Sequence, residues 1–278
     1  MSERLDRRPG PSVRTRVVEY VGDARRAHED RLATEEPLEI RLAWPGAPAR
    51  RIAVTMRTPG QDFELAARWL VHERVLAPAQ IAVVRYCTDV DLDPLEQYNV
   101  VTVESASPPL RLPEARDVGS ACGVCGKESI GDVLGAPLPR VDETRVPVDR
   151  LRSLPDRLRE QQAGFERTGA LHAAGLFEHD GTRVVVREDV GRHNAVDKAV
   201  GAVLLGSRDR MPGILVLSGR IGFELVQKAV VSGIGVVVAV GAPSSLAVAL
   251  AEESGVCLVG FTRPDRCVVY AGDHRLGV

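Results

Sequence analysis

Two cysteines, Cys122 and Cys125, lie in the glycine-rich segment 119–127. The thiolate is the nucleophilic form of cysteine, and a Cys-x-x-Cys spacing beside a cation such as Lys127 favours that form. The three glycines of the segment make its backbone permissive. Three sites are therefore open: a structural zinc site, a dithiol redox centre, or a sulfur relay in which a cysteine persulfide carries sulfane sulfur.

Other parts of the sequence argue for or against each of these three sites. A closed zinc site needs four ligands, but Cys87, Cys257 and Cys267 stand singly in strand-like runs, where a small buried hydrophobe is the usual role. A dithiol redox centre fits the motif, although no βαβ pattern precedes it. The zinc nucleobase deaminases carry His-x-Glu before Pro-Cys-x-x-Cys. Here alanine stands at Ala174, two residues after His172, and the cysteines come first, which argues against deaminase chemistry.

The second half of the chain alternates short apolar runs with helical patterns. This rhythm predicts βαβ units and a mainly parallel sheet. The predicted strands are Val184–Arg187, Ile214–Leu217, Val236–Val240 and Cys257–Phe261, and the predicted helices are Ala195–Leu205, Phe223–Val231 and Ser245–Glu253.

Polar residues follow each predicted strand, where ligands of such sheets bind. Arginine offers forked donors to phosphate, and a helix N-terminus such as that near Ser244 favours an anion. The edge therefore predicts a site for a nucleotide-like polyanion, with Asp189 or Glu224 accepting from a guanine or pterin amino group. We interpret Lys198 and Lys228 as solvated lysines. The predicted binding residues are Arg192, His193, Ser218, Gly219, Arg220, Ser244, Phe261, Thr262, Arg263, Pro264, Asp265 and Arg266.

The first half reads as a smaller unit. Residues 1 to about 35 are arginine-rich and are predicted to be poorly ordered, whereas Leu38–Thr55 alternates as a hairpin around Pro45-Gly46. Asp62 is predicted to cap a helix, and strands are predicted over Ile81–Cys87 and Tyr98–Val103. We therefore divide the chain into a basic tail with a small α+β domain, 1–115, and a main α/β domain, 116–278.

Bulk properties narrow the class of partner. The formal net charge of −2 gives no general attraction to nucleic acid or to an anionic membrane. No stretch approaches the roughly 20 apolar residues of a membrane span. The arginine-rich start lacks the apolar core of a secretory signal, which predicts a cytoplasmic protein with reduced thiols.

Taken in order, the motifs resemble the formate dehydrogenase accessory sulfurtransferase family (FdhD), over roughly residues 38 to 270. The run Glu188–Lys198 is the most specific of them. The resemblance rests on Thr58-Pro59-Gly60, Cys122-Gly123-Val124-Cys125-Gly126, Thr168–Ala174, Glu188–Lys198, Ser218-Gly219-Arg220 with Glu224 and Lys228, Ala242–Ala247 and Val259–Arg263.

The resemblance implies a sulfur carrier that passes sulfur from a cysteine desulfurase to the molybdenum cofactor, Mo-bis(molybdopterin guanine dinucleotide), before formate dehydrogenase receives it. Cys122 matches the persulfide-carrying cysteine, Cys125 its companion, and Phe261–Arg266 the cofactor-binding segment. A GDP-like guanine nucleotide would mimic part of the cofactor. The resemblance also implies a homodimer and a main domain of cytidine-deaminase-like fold, with three layers of helices around a mixed sheet. The alternatives are a cofactor-binding chaperone without obligatory sulfur transfer and a dithiol oxidoreductase.

Overall fold

A computed structural model describes residues 10–87, 97–112 and 141–277. The strands are β1 (Ser12–Val21), β2 (Ala24–Ala33), β3 (Glu36–Trp44), β4 (Ala47–Arg57), β5 (Ile81–Tyr86), β6 (Val100–Ser105), β7 (Val146–Pro147), β8 (His172–Phe177), β9 (Arg183–Asp189), β10 (Ile214–Leu217), β11 (Val236–Ala239), β12 (Cys257–Gly260), β13 (Val268–Ala271) and β14 (Leu276–Gly277). The α-helices are α1 (Asp62–His72), α2 (Val148–Arg159), α3 (Ala163–Thr168), α4 (Arg192–Leu204), α5 (Phe223–Val231) and α6 (Ser245–Ser254). Two short 3₁₀ helices cover Pro78–Gln80 and Asp273–Arg275.

A four-stranded sheet with the order β4-β3-β6-β5 forms the N-terminal unit. The predicted hairpin is confirmed as β3 and β4, because Leu38, Ile40 and Leu42 alternate into a core with α1. The strands predicted near β5 and β6 are confirmed too. The capping prediction is wrong: Gln61 precedes α1, and Asp62 lies in the first turn, where its carboxylate accepts from the Arg57 guanidinium at 2.9 Å.

The prediction of a poorly ordered start is wrong for residues 12–33, which form the antiparallel hairpin β1–β2. Two residues, Gly22 and Asp23, separate the strands, and Gly22 has a φ of 58°. A two-residue Gly-Asp loop between strand-like runs is a hairpin signal. In β1 the β-branched residues Val13, Thr15, Val17, Val18 and Val21 are interspersed with arginines, whose abundance favours the prediction of a poorly ordered tail.

The main sheet has the order β13-β12-β11-β10-β8-β9. Strands β10, β11 and β12 pair in parallel, whereas β8 pairs antiparallel with both β10 and β9, and β13 pairs antiparallel with β12. Strands β9 to β12 thus point the same way and the sheet is mixed. The simple βαβ reading missed β8, which inserts between β9 and β10 and separates them.

Helices cover both faces of this sheet, as the three-layer prediction required. On one face Leu151, Leu154 and Leu158 of α2 pack against alternate residues of the central strands. On the other face α4, α5 and α6 pack against the intervening residues, such as Leu215 and Val237. The predicted domain boundary at 115/116 lies outside the described residues. Across the described parts of the chain, no helix is both long and apolar enough to cross a membrane.

Candidate functional site

The ends of the parallel strands come together at one edge of the main sheet. The Gly241 amide donates to the Gly219 carbonyl at 3.2 Å, and the Phe261 amide donates to the Gly241 carbonyl at 3.1 Å. A Cβ added to Gly241 would lie 2.9 Å from the Gly219 oxygen, so only glycine allows these turns to touch. The structure therefore places the turns after β10, β11 and β12 side by side, as their sequence positions predicted.

A cavity of about 570 Å³ opens at this edge, between the strand ends and helices α2 and α3. Its volume lies within the roughly 300–1,000 Å³ of ligand pockets. Three predicted binding residues line it: Ser218, Thr262 and Arg263. Other wall residues include Arg159, Gln162, Phe165 and His172.

Helices α2 and α3 supply the cavity residues that sequence reasoning missed. The apolar residues Leu151, Leu154 and Leu158 have helical spacing and would have revealed α2. The Arg159 guanidinium lies 4.3 Å from the centre of the Phe165 ring, which joins the two helices by a cation–π contact. An aromatic ring and a cation thus stand on the wall opposite the strand ends.

Thr262 is fully buried, and its Oγ1 makes no hydrogen bond. A buried hydroxyl without a partner costs about 1–3 kcal/mol, and such a group in a native structure needs an explanation. The neighbouring Ser218 hydroxyl, by contrast, accepts from the Ala173 amide at 2.8 Å. Thr262 Oγ1 is therefore an unsatisfied buried polar atom in the lining of the cavity.

Phe261 precedes Thr262 with a φ of 48°, a left-handed conformation that is rare for a bulky residue. Hydrogen bonds from the Phe261 and Thr262 amides to carbonyls of β11 and its turn fix this conformation. Phe261 as a whole is 41% exposed. Residues held in such conformations cluster at functional sites, and here the result is an aromatic surface at the strand-end edge.

The segment after Phe261 is a tight turn. The Arg263 amide donates to the Arg266 carbonyl at 2.8 Å, and Pro264, Asp265 and Arg266 are exposed around it. The Arg263 guanidinium donates to the Val240 carbonyl at 3.1 Å, so its stem lies along the strand ends. Arg263 thus lines the cavity, and Arg266 is exposed in the same turn.

Helix α4 begins at the same edge with Arg192 and His193, and no side chain caps its first turn. His193 Nε2 lies 2.8 Å from Glu224 Oε2 of α5. Burial lowers the pKa of His172, and nearby Arg192, His193 and Arg220 lower it further, against the opposite effect of Asp189. His172 is therefore neutral near pH 7, beside two arginines.

Three sequence interpretations near this edge are wrong. Asp189 is fully buried and accepts from Lys198 at 2.6 Å and from the amides of Thr58 and Gly191, so it has no capacity for a ligand amino group. Lys198 and Lys228 are not solvated: both are buried, and Lys228 Nζ lies 2.7 Å from Asp197 Oδ2.

The remaining predicted residues are not in the lining of the cavity. The predicted helix N-terminus near Ser244 is confirmed: α6 begins at Ser245, and the Ser244 hydroxyl caps it by accepting from the Ala247 amide at 3.3 Å. Gly219 borders His172, and Arg220 is exposed. The predicted catalytic cysteines, Cys122 and Cys125, lie outside the described residues.

Comparison with known proteins decides the family. The sequence profile of the FdhD/NarQ family matches residues 33–277. The chain belongs to this family. A sulfur carrier protein FdhD of Streptomyces avermitilis is 49% identical over 95% of each chain, and one of Nocardia farcinica is 46% identical over 95% of each chain.

A solved structure supports the fold of this FdhD/NarQ member. The crystal structure of a protein from Desulfotalea psychrophila, assigned as a formate dehydrogenase accessory protein, superposes with a TM-score of 0.75. It is 24% identical and the match covers 96% of this chain and 99% of that one. The two chains therefore share their fold.

Proposed function

We propose that this protein is a sulfur carrier that serves a molybdenum-dependent formate dehydrogenase. It takes sulfur from a cysteine desulfurase onto Cys122 as a persulfide. It then delivers the sulfur to Mo-bis(molybdopterin guanine dinucleotide) held at the strand-end edge. The observation that carries the proposal is membership of the FdhD/NarQ family, whose relatives from Streptomyces and Nocardia are named sulfur carriers.

Loading is a thiol exchange that needs no outside oxidant. The Cys122 thiolate attacks the terminal sulfur of a desulfurase persulfide, the desulfurase thiolate leaves, and Cys122 retains the sulfur as Cys–S–SH. Attack of the Cys125 thiolate on the inner sulfur would then release hydrosulfide and leave a Cys122–Cys125 disulfide. The two cysteine thiolates supply the two electrons that the departing sulfur gains, and they become the disulfide. The role of Cys125 is therefore to release the sulfur from Cys122.

The chemistry of the strand-end edge suits the nucleotide part of the acceptor. Arg263, Arg220 and Arg192 can donate to phosphate oxygens. The cavity can enclose a planar base, with the Thr262 hydroxyl as a hydrogen-bonding partner. Phe261 offers an exposed ring beside it. We assign the guanine end of the cofactor to this cavity and its diphosphate to the arginines.

Guanine-nucleotide binding tests this assignment. We expect R263A and R220A each to weaken GDP binding by tenfold or more in calorimetry, because each loses a charge-assisted hydrogen bond worth about 1.5–3 kcal/mol. The matched control is R210A. Arg210 is exposed and pairs with Glu178, and it lies just before β10, at the end of that strand opposite the cavity. GDP affinity that is equal in all three variants and in the wild type would refute the assignment.

The remaining parts of the proposal are a homodimer, a cytoplasmic location and a cytidine-deaminase-like main domain. The mixed sheet between helical layers is compatible with that fold. A persulfide on Cys122 in protein purified without reductant, lost on treatment with a thiol reductant, would support sulfur transfer over a purely cofactor-binding role.

A further inference from the structure

The β1–β2 hairpin is an arm whose side chains face solvent on both sides. Tyr20 and Val21 are 67% and 68% exposed, and Val13, Val18 and Leu32 are also exposed. Its ion pairs, such as Arg14–Glu29, lie within the arm. The hairpin lies almost entirely before the segment matched by the family profile, which starts at residue 33. The arm thus exposes five large apolar or aromatic side chains to solvent.

Such a ribbon needs further partners. A two-stranded hairpin is marginally stable in water, and an open edge is a template for another strand. Within the described residues, β1 and β2 pair with no third strand. Of the two, β2 packs against α3, which leaves β1 as the outer strand. The free edge of β1 therefore has ten residues available for pairing.

Symmetry restricts how a second copy can pair with this edge. A twofold axis that makes two copies of β1 antiparallel neighbours is perpendicular to the sheet, so each side chain keeps its own face. Directly opposite residues share a face. Opposite positions must therefore both be odd or both be even, and one residue of β1 must face its own copy.

Charge selects the register among those that symmetry allows. With Val17 on the axis, Val13 faces the partner's Val21, and Arg14 faces the partner's Tyr20, a cation–π pair. Moving the axis by one residue to Arg16 places two arginines opposite each other, which is destabilising. Moving it to Val18 shortens the paired segment from 13–21 to 15–21. The register centred on Val17 is therefore favoured.

The edge of β2 is the weaker candidate for self-pairing. With Glu29 on the axis, two carboxylates face each other, and with His28 on the axis, Arg25 faces the partner's Arg31. Both of these registers place like charges directly opposite. A register centred on Ala27 avoids this but pairs only residues 24–30, and β2 already packs against α3. The longer β1 register is therefore favoured.

We propose that two copies of this protein pair through antiparallel β1 strands, with Val17 on the twofold axis, to form a four-stranded sheet β2-β1-β1-β2. This inference deepens the homodimer of the proposed function by giving its interface. The apolar residues Val13, Val17 and Val21 of the two copies form one continuous stripe on a face of that sheet.

Single-cysteine cross-linking tests the register. Opposite residues in an antiparallel pair have Cα atoms about 4.5–5.5 Å apart, within the span of a disulfide. We expect V17C to form a dimer linked from residue 17 to residue 17 under mild oxidation, as mapped by peptide mass spectrometry. V21C is the matched control, because its own copy lies about 26 Å away at 3.3 Å per residue. A mixture of V13C and V21C is expected to cross-link.

Disruption of the interface provides an independent test. V17K places two lysines opposite each other and is expected to raise the dimer dissociation constant by about tenfold or more in analytical ultracentrifugation. V17T keeps a neutral β-branched residue and is expected to remain dimeric, which separates repulsion from unfolding. V83K is the matched control, because Val83 is an exposed valine of β5, and it is expected to leave the dimer dissociation constant unchanged.

The failures of the two proposals differ. A wild-type chain that is monomeric at high concentration would overturn both the homodimer and this interface. A dimer that V17K does not weaken, or V17C cross-links no more frequent than those of V21C, would overturn the β1 interface alone. Persulfide loading, measured by mass on the same V17K protein, is expected to be unchanged.

Discussion

Loss of the Lys198 charge is expected to destabilise the fold and the strand-end edge together. Lys198 is fully buried, and its Nζ lies 2.6 Å from Asp189 Oδ2 and 2.7 Å from the Thr58 carbonyl. Removing one partner of a buried ion pair costs about 3–5 kcal/mol. Asp189 would keep the amide donors of Thr58 and Gly191, so we expect K198M to cost the lower part of this range, about 3 kcal/mol.

Denaturant unfolding measures this cost, and thermal unfolding is expected to show a melting temperature lower by about 6–12 °C. The control is R85M, since Arg85–Glu104 is an ion pair of 2.7 Å with both side chains exposed. We expect that change to cost about 0–1 kcal/mol. The double variant D189N/K198M is expected to recover stability relative to K198M, because it removes the unpaired carboxylate. Equal costs for K198M and R85M would refute the reasoning.

Three further predictions follow from single groups. T262V is expected to keep or raise the free energy of unfolding by up to about 1 kcal/mol, because it removes an unpaired buried hydroxyl. GDP binding is expected to weaken in T262V and to be retained in T262S. Calorimetry and unfolding that show a less stable T262V with unchanged GDP binding would contradict this. Since the pKa of His172 is lowered in the fold, its contribution to stability is present above the unfolded pKa of about 6.5 and is lost as pH falls. H172Q should flatten the fall in unfolding free energy between about pH 7 and 5, and an unchanged slope would exclude His172 as its source. Burial raises the pKa of Cys257 to about 11, so iodoacetamide at pH 8 is expected to leave this thiol unmodified in the folded protein, as peptide mapping would show.

Much of the site was predictable because strands joined by helical crossovers run parallel, so their ends meet at one edge of a sheet. The apolar runs at Ile214–Leu217 and Cys257–Phe261 are each followed directly by polar turn residues, and parallel strands bring such turns to one edge. The grouping of Ser218, Thr262 and Arg263 at one cavity follows from this rule.

The environment of the lysines was not predictable in the same way. Lys198 and Lys228 occur in ordinary helical patterns, and burial depends on Asp189 and Asp197 meeting them across element boundaries. Periodicity identifies the face of a helix but not the charge that a neighbouring element presents to it.

The wall of the cavity was missed for another reason. Helix α2 contains Pro155 in its interior, a residue that argues against a continuous helix despite the helical spacing of its leucines. Its buried leucines outweigh that signal in the fold. Strand β8 is short and rich in alanine and glycine, residues of low strand propensity, and packing between β9 and β10 determines its conformation.

Intact-mass analysis after incubation with a cysteine desulfurase and cysteine tests the central claim most directly. The account predicts that the wild-type chain gains one sulfur atom, that peptide mapping assigns it to Cys122, and that C122A neither gains the atom nor activates formate dehydrogenase. A C122A protein that activates formate dehydrogenase as fully as the wild type would contradict the account.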